Sequence, residues 1–384
     1  MTNTHSDVRV IRISTSDVSR GTDHVRAFEK LILSNESSYP TIKRWLHDKV
    51  IDGVKTGERV AFVGYQGSRP AISAVVKRGT HSKFCHLRID EDLQNQNLGD
   101  MFFALMAAEV QRFASEVHFT LPERLWAEKQ AFFKSFGFSS AALSRTQYRR
   151  GEVELRCSAP FDRLWLATRR KLPKLARAFR SGGYHLEMPL LMSLKPRFAE
   201  AIFNGTKRYE IRRRFSRRWL GARAAILATR PMGALFGEVT IGKIRHSPPS
   251  TIWDSFGDSL GCSELEFKEY CNNAAEVFAI ELTEVTPYLC PVPVRQLAHL
   301  LDRDLQTPQS YSDLSESPSW REAVSLAAIL HGNLTLPPKL VCQQRLKNVW
   351  LPNETGSLFE LASSLPSSLL AQKGTHGTGV ETFE

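Results

Sequence analysis

Long apolar runs are missing from this 384-residue chain. No stretch approaches the roughly 18 uninterrupted apolar residues of a spanning helix, which excludes a helical membrane protein. The first fourteen residues, MTNTHSDVRVIRIS, lack the charged-then-apolar plan of a secretory leader, so the expected location is cytoplasmic. Cysteine is scarce and scattered, at Cys85, Cys157, Cys262, Cys271, Cys290 and Cys342. With no CxxC and no His/Cys ligand spacing, a zinc module or disulfide framework is excluded, and no metal is expected. Internal repeats are absent as well, which removes solenoids and propellers.

The 42% hydrophobic and 24% charged residues are those of a globular protein, and the length suits two domains with an added C-terminal segment. The net charge of +11 is concentrated. Residues 160–223 hold 17 Lys/Arg against 4 Asp/Glu, a net of +13, so the rest of the chain is close to neutral. Such a block suits a nucleic-acid binder, because each neutralised phosphate releases condensed counterions. The plainer alternative is a solvated, solubilising surface.

Periodicity predicts strands over 7–15, 58–65, 71–79, 83–89 and 116–122, and helices within 23–52 and over 101–116 and 124–136. This order predicts an α/β domain with a mixed sheet over about 1–158. Residues 159–185, FDRLWLATRRKLPKLARAFRSGG at their centre, read as a basic linker helix; a membrane-surface helix is the alternative. Shorter strands at 189–194, RYEIR, 224–230, 235–244 and 277–288, with helices at 196–203 and 263–273, predict a small β-barrel with packed helices (α+β) over 186–310. Residues 311–384 read as a partly disordered extension with one helix at 318–332.

Two stretches carry chemistry. In LRIDEDLQNQNLGDMFFALMAAEV a strand leads through a polar turn into a helix, where orphan backbone N–H groups and the helix dipole favour an anion such as pyrophosphate. Gly99 is the turn's one glycine, and Asn97 tolerates the left-handed conformation a second would supply. A polar strand–helix connection without a ligand is the plain reading. With EKQAFFKSFGF (128–138), the segment 7–158 resembles the GNAT family of N-acetyltransferases. Gln94, Asn97 and Gly99 match that family's Arg/Gln-x-x-Gly-x-Gly/Ala turn, and Phe132, Phe133, Phe136, Gly137 and Phe138 match its aromatic helix end. The resemblance implies acetyl-CoA as cofactor, held around Ile89, Gln94, Asn95, Gln96, Asn97, Leu98, Gly99 and Asp100. Phe133 stands where a tyrosine general acid is common and Trp126 where an asparagine is, so proton transfer falls to His118, Glu123 or His86. Each also has an ordinary reading, as a packed or surface histidine or a helix-terminal charge.

The second stretch is NGTKRYEIRRR (204–214), one carboxylate among five Lys/Arg. Asn204–Gly205 ends a helix. Strand alternation then predicts Lys207, Tyr209 and Ile211 on one face, with Glu210 between Arg208 and Arg212 on the other. A carboxylate so placed orients two guanidiniums and leaves their remaining donors for a phosphate or base. Gly205-x-Lys207-x-x-Glu210-x-Arg212, with its flanks over about 187–300, resembles the ASCH domain, a relative of the PUA RNA-binding fold. The resemblance implies a nucleic-acid cleft, RNA before DNA, at Lys195, Lys207, Arg208, Glu210, Arg212 and Arg214. Trp219, beside Arg217 and Arg218, reads as an exposed base-stacking side chain, and Phe198 and Phe215 as core. Some small ASCH proteins hydrolyse N4-acetylcytidine nucleosides with the motif lysine, a threonine and a downstream acid; here Glu210 replaces the threonine, and Asp258 or Glu238 is the candidate acid.

The expectation is an acetyl-CoA-dependent N-acetyltransferase directed to RNA, or another nucleic-acid-associated substrate, by an ASCH domain. The alternatives are a nucleic-acid-binding regulator with a silent GNAT domain, and an amidohydrolase of the acetylcytidine type.

Overall fold

A computed structural model describes residues 7–330 except 35, 37, 38, 40, 95, 146, 147 and 150. All described residues belong to one compact unit that contains two sheets.

The first sheet has eight strands in the order β6-β7-β5-β4-β3-β2-β1-β8. These are β1 (Val8–Ile13), β2 (Arg59–Gln66), β3 (Arg69–Lys77), β4 (His81–Ile89), β5 (Glu116–Pro122), β6 (Ala141–Leu143), β7 (Glu154–Pro160) and β8 (Tyr184–Leu186). β1 to β4 form an antiparallel meander, β4 and β5 run parallel, and β8 adds in parallel beside β1. The central strands are apolar throughout because helices cover both faces. On one face Ala61, Val63 and Val75 meet α1 (Thr15–Arg20), α2 (Asp23–Leu33), α3 (Ile42–Trp45) and α4 (Asp52–Thr56). On the other, Val60, Phe62, Ala74 and Val76 meet α5 (Leu98–Val110), α6 (Glu123–Ser135) and α7 (Phe161–Arg180).

The expected linker helix is a core element. α7 buries Phe161, Leu164, Trp165, Leu172, Leu175 and Phe179. At about 1.5–3 kcal/mol for each large apolar side chain, this face contributes on the order of 10 kcal/mol, far more than a tether needs. It also leaves no apolar face for a membrane surface, and no helix among the described residues is long and apolar enough to cross one.

The second sheet has six strands in the order β10-β13-β12-β11-β9-β14: β9 (Leu190–Leu194), β10 (Tyr209–Arg212), β11 (Arg223–Ala228), β12 (Ala234–Ser247), β13 (Val277–Pro293) and β14 (Tyr311–Asp313). The β12–β13 ladder shifts register in three places; such irregularities add bend and twist, and the sheet curls. Its two ends meet where Arg212 on β10 donates from Nη2 to the carbonyl of Ser193 on β9 at 2.8 Å and from Nη1 to Ser310 Oγ at 3.0 Å. α8 (Pro196–Phe203), α9 (Pro249–Phe256) and α10 (Glu264–Cys271) pack on this layer.

Strand alternation splits the second sheet between two cores. Leu190, Met192, Ala224 and Ile226 face the curled interior. Leu191, Ala225, Leu227 and Leu235 join the core of the first sheet instead, with α11 (Val294–Leu301) and α12 (Pro318–Leu330). The segment expected as an extension therefore enters the fold over its first twenty residues: β14 pairs with β9, and α12 buries Trp320, Val324 and Leu326. The disorder expected at the chain end, the last two residues of the helix expected at 318–332, and Cys342 lie outside the described residues. Cys85, Cys157, Cys262 and Cys271 are free thiols.

Candidate active cleft and nucleic-acid interface

β4 and β5 are paired only at their first residues, His81 to Lys83 opposite Glu116 to His118. The cause is local. Val75 on β3 faces His86 while Val76 faces Phe84, so Cys85 is an extra residue in β4. A bulge of this kind bends its strand and ends regular pairing. Beyond it the two strands part.

The turn after β4 leads into α5, whose all-round apolar sequence suits a helix buried on every side. Asn97 caps it at φ +64°, the left-handed conformation predicted for it, and no side chain caps the terminus. Among the described residues, the N–H groups of Leu98, Gly99 and Asp100 have no backbone acceptor, since the first intrahelical bond runs from Met101 to Asn97. Gln94 and Gln96 are exposed and fold back on the loop's own backbone, donating to the carbonyls of Ile89 and Asp92, both at 3.2 Å. Asp100 is buried between Lys171 (3.2 Å) and Lys174 (2.8 Å) of α7, which neutralise a carboxylate that would otherwise oppose an anion at this terminus. Asn95, expected here, lies outside the described residues. The backbone thus fits a pyrophosphate, with one restriction: a Cβ on Gly99 would stand 3.2 Å from the Phe132 ring, so that ring closes the space over the glycine.

Phe133 is buried in an aromatic cluster, with Phe119 4.9 Å away and Trp126 stacked on it at 5.8 Å. Phe133 has no polar side-chain atom to present to the parting strands.

The three proton-transfer candidates separate. His86 bonds to Ser73 Oγ at 2.9 Å, and burial pushes its pKa down to about 4. Glu123 is exposed at the start of α6. His118 lines a cavity, together with Lys83, Thr120, Leu143, Ser144, Arg145, Tyr148 and Arg156. Its pKa is also pushed down to about 4, by burial first and then by Arg156 and Lys83. Its ring is therefore neutral near pH 7, with a buried Nδ1 that has no partner among the described residues. Tyr148, which the sequence reading missed, places its hydroxyl 3.0 Å from Lys83 Nζ. It sits in a short basic run between strands, with no periodicity to mark it.

In the second sheet the motif closes on itself. Glu210 is buried between Lys207 Nζ (3.2 Å) and Arg212 Nε (2.9 Å). The expected partner Arg208 turns instead to Ser259 Oγ at 2.8 Å. The reason is that β10 begins at Tyr209, so Lys207 precedes the strand and escapes its alternation. Lys207 is 4% exposed, donates to the Leu260 carbonyl at 2.7 Å and lies 5.0 Å from the centre of the Phe198 ring. Arg212 is held at the sheet seam as described above. Its guanidinium is not an open phosphate fork, contrary to expectation.

Trp219 is also buried, 7% exposed, with Arg218 stacked on it at 4.4 Å, so it is not a base-stacking surface. Phe215 belongs to the core and Phe198 packs against it. Of the cations predicted for the interface, Lys195, Arg208 and Arg214 are accessible. Lys195 and Arg214 have no carboxylate partner among the described residues. Of the candidate acids, Glu238 is bound by Arg223 and by Tyr288 Oη at 3.0 Å, away from Lys207, and Asp258 is exposed beside Ser259.

No family model matches the chain. A curated ASCH domain-containing ribonuclease of Zymomonas mobilis is 31% identical over 138 residues, 36% of this chain and 91% of the relative. The crystal structure of ASCH from Zymomonas mobilis matches at 31% identity over 36% of this chain and 96% of that one, with a TM-score of 0.33. An acetyltransferase from Thermus thermophilus matches at 19% identity over 40% of this chain and 96% of that one, with a TM-score of 0.27.

Proposed function

The chain belongs to the ASCH-domain family, and from that premise we propose an acetyl-CoA-dependent N-acetyltransferase that its ASCH domain directs to RNA or another nucleic-acid-associated substrate. In this reading residues 1–158 form the transferase domain, 159–185 the basic helix, 186–310 the ASCH domain and 311–384 the C-terminal extension. The observation that carries the reading is the parting of β4 and β5 beside an α5 terminus with no capping side chain.

Bound acetyl-CoA would supply an acyl group activated as a thioester. The N–H groups of Leu98, Gly99 and Asp100 would hold its pyrophosphate, with Lys171 and Lys174 compensating Asp100. The unpaired backbone edges of β4 and β5 offer amide partners to an extended chain lying between them. His118 and Tyr148 are the cavity groups able to accept or relay a proton from an attacking amine, replacing the hydroxyl that Phe133 lacks. The relative named as a ribonuclease favours RNA over DNA as the polyanion. Lys195, Arg208 and Arg214 are the side chains that meet it; Lys207, Glu210 and Arg212 set the frame behind them.

A second reading, a nucleic-acid-binding protein with a silent transferase fold, is favoured by the Phe132 ring over Gly99. Hydrolysis of an acetylated nucleoside is disfavoured, because Lys207 is already committed to Glu210 and Leu260. Radiolabelled acetyl-CoA incubated with RNA and with small amines separates these readings. Label transfer that is lost in His118→Ala supports the transferase. Absence of transfer to every acceptor, with RNA binding intact, supports the silent fold.

A further inference from the structure

The cavity around His118 carries more positive charge than a proton-transfer site requires. Lys83 on β4, Arg156 on β7 and Arg145 in the segment after β6 converge on a space of about 420 Å³. That volume lies within the roughly 300–1,000 Å³ of small-ligand pockets. Among the described residues, no carboxylate lines it. Arg156 has one acidic neighbour, Glu116 at 3.0 Å, and Arg145 has none among the described residues. Lys83 is held by the Tyr148 hydroxyl and lies 4.8 Å from the centre of that ring.

We propose that this cavity binds the phosphomonoester of a nucleotide. Three cations facing one space repel one another, and a dianion relieves that repulsion while accepting charge-assisted hydrogen bonds from each. A phosphomonoester carries about −1.5 to −2 charges near pH 7, against −1 for a carboxylate or an internal phosphodiester. Thr120 and Ser144 add hydroxyls to the lining. His118, neutral for the reasons given above, can contribute a ring N–H without adding a fourth full charge. The space exceeds what a bare phosphate fills, and its rim is suited to a base: Leu143 is 76% exposed and Tyr148 38% exposed. Exposed aromatic side chains are the usual platforms for unpaired bases.

As the acceptor site of the proposed transferase, the cavity rests on that reading; as a nucleotide site it does not. The phosphomonoester has two sources, a free nucleotide or the 5′ end of an RNA.

The test is calorimetry on the full chain without acetyl-CoA. The titrants are AMP, a 5′-phosphorylated tetranucleotide and its 5′-hydroxyl counterpart. The proposal expects saturable AMP binding, weakened about tenfold or more in the Arg145→Ala/Arg156→Ala double variant. If RNA ends are the source, the phosphorylated tetranucleotide binds more tightly than AMP and its hydroxyl counterpart does not displace AMP; if free nucleotides are, AMP binds more tightly. In the wild-type protein, AMP but not adenosine shifts the His118 ring resonances, a readout that does not depend on the variant folding. Failure of both phosphorylated ligands to saturate overturns the proposal. So does unchanged affinity in a double variant that melts like the wild type. A protein that binds AMP but not acetyl-CoA keeps this site and loses the transferase.

Discussion

Arg212 Nη2 donates to the backbone carbonyl of Ser193 at 2.8 Å, and this single bond joins the first and fifth strands of a six-strand sheet. The motif arginine is therefore a clasp. Glu210 holds its other edge at 2.9 Å, and Lys207 holds Glu210 at 3.2 Å. The charge that draws the eye in NGTKRYEIRRR is divided between a buried frame and an exposed set of cations.

Removing the acid from that frame leaves two buried cations without a counter-charge. Glu210→Ala is expected to destabilise the protein by about 3–5 kcal/mol. Urea unfolding measures it. A loss below about 1 kcal/mol would mean that solvent reaches the triad and that the frame is not structural.

The proposed RNA affinity is expected to follow the exposed set. Neutralising Lys195, Arg208 and Arg214 together lowers affinity and flattens its dependence on salt. Three lost phosphate contacts on a single strand correspond to a slope about 2 smaller in log–log form. Filter binding across salt concentrations reads both. Trp219→Phe, at a buried position, leaves the affinity unchanged; a marked loss there would show that the ring reaches the RNA.

The pH dependence of stability follows from His86 and His118. Both have folded pKa values near 4, below the ordinary histidine value of about 6.5. Between those values the unfolded chain binds more protons than the folded one, so stability rises with pH and is lost as pH falls from about 6.5 toward 4. His86→Gln keeps a hydrogen-bonding amide beside Ser73 and removes the His86 titration. Thermal melts of the variant are expected to fall less steeply across that window than those of the wild type. Identical slopes would contradict a neutral, half-buried His86.

Much of this architecture was legible because the strands alternate and the helices carry an apolar stripe. The predicted strand at 116–122 and helix at 196–203 match β5 and α8 at both ends. Asn97 was legible too, since few residues besides glycine accept its conformation. What failed was whatever depends on distant segments. The helix of 161–180 read as a tether because periodicity shows a stripe but not its partner. Arg212 read as open because nothing in RYEIRRR says that the other end of the sheet lies against it. Trp219 read as exposed from its neighbours Arg217 and Arg218, whose charged ends reach solvent while the indole does not. Arg145 and Tyr148 stand between strands, where pattern is silent.

The central claim is that the turn before α5 holds acetyl-CoA, and calorimetric titration of the purified chain with acetyl-CoA tests it most directly. The control is Gly99→Trp, checked by thermal melting because its side chain must displace Phe132. Saturable binding in the wild type that disappears in a folded Gly99→Trp variant is the predicted result. No binding at about millimolar ligand, where even a weak site of roughly −4 kcal/mol would register, would contradict it and leave the first sheet as a scaffold for the nucleic-acid interface.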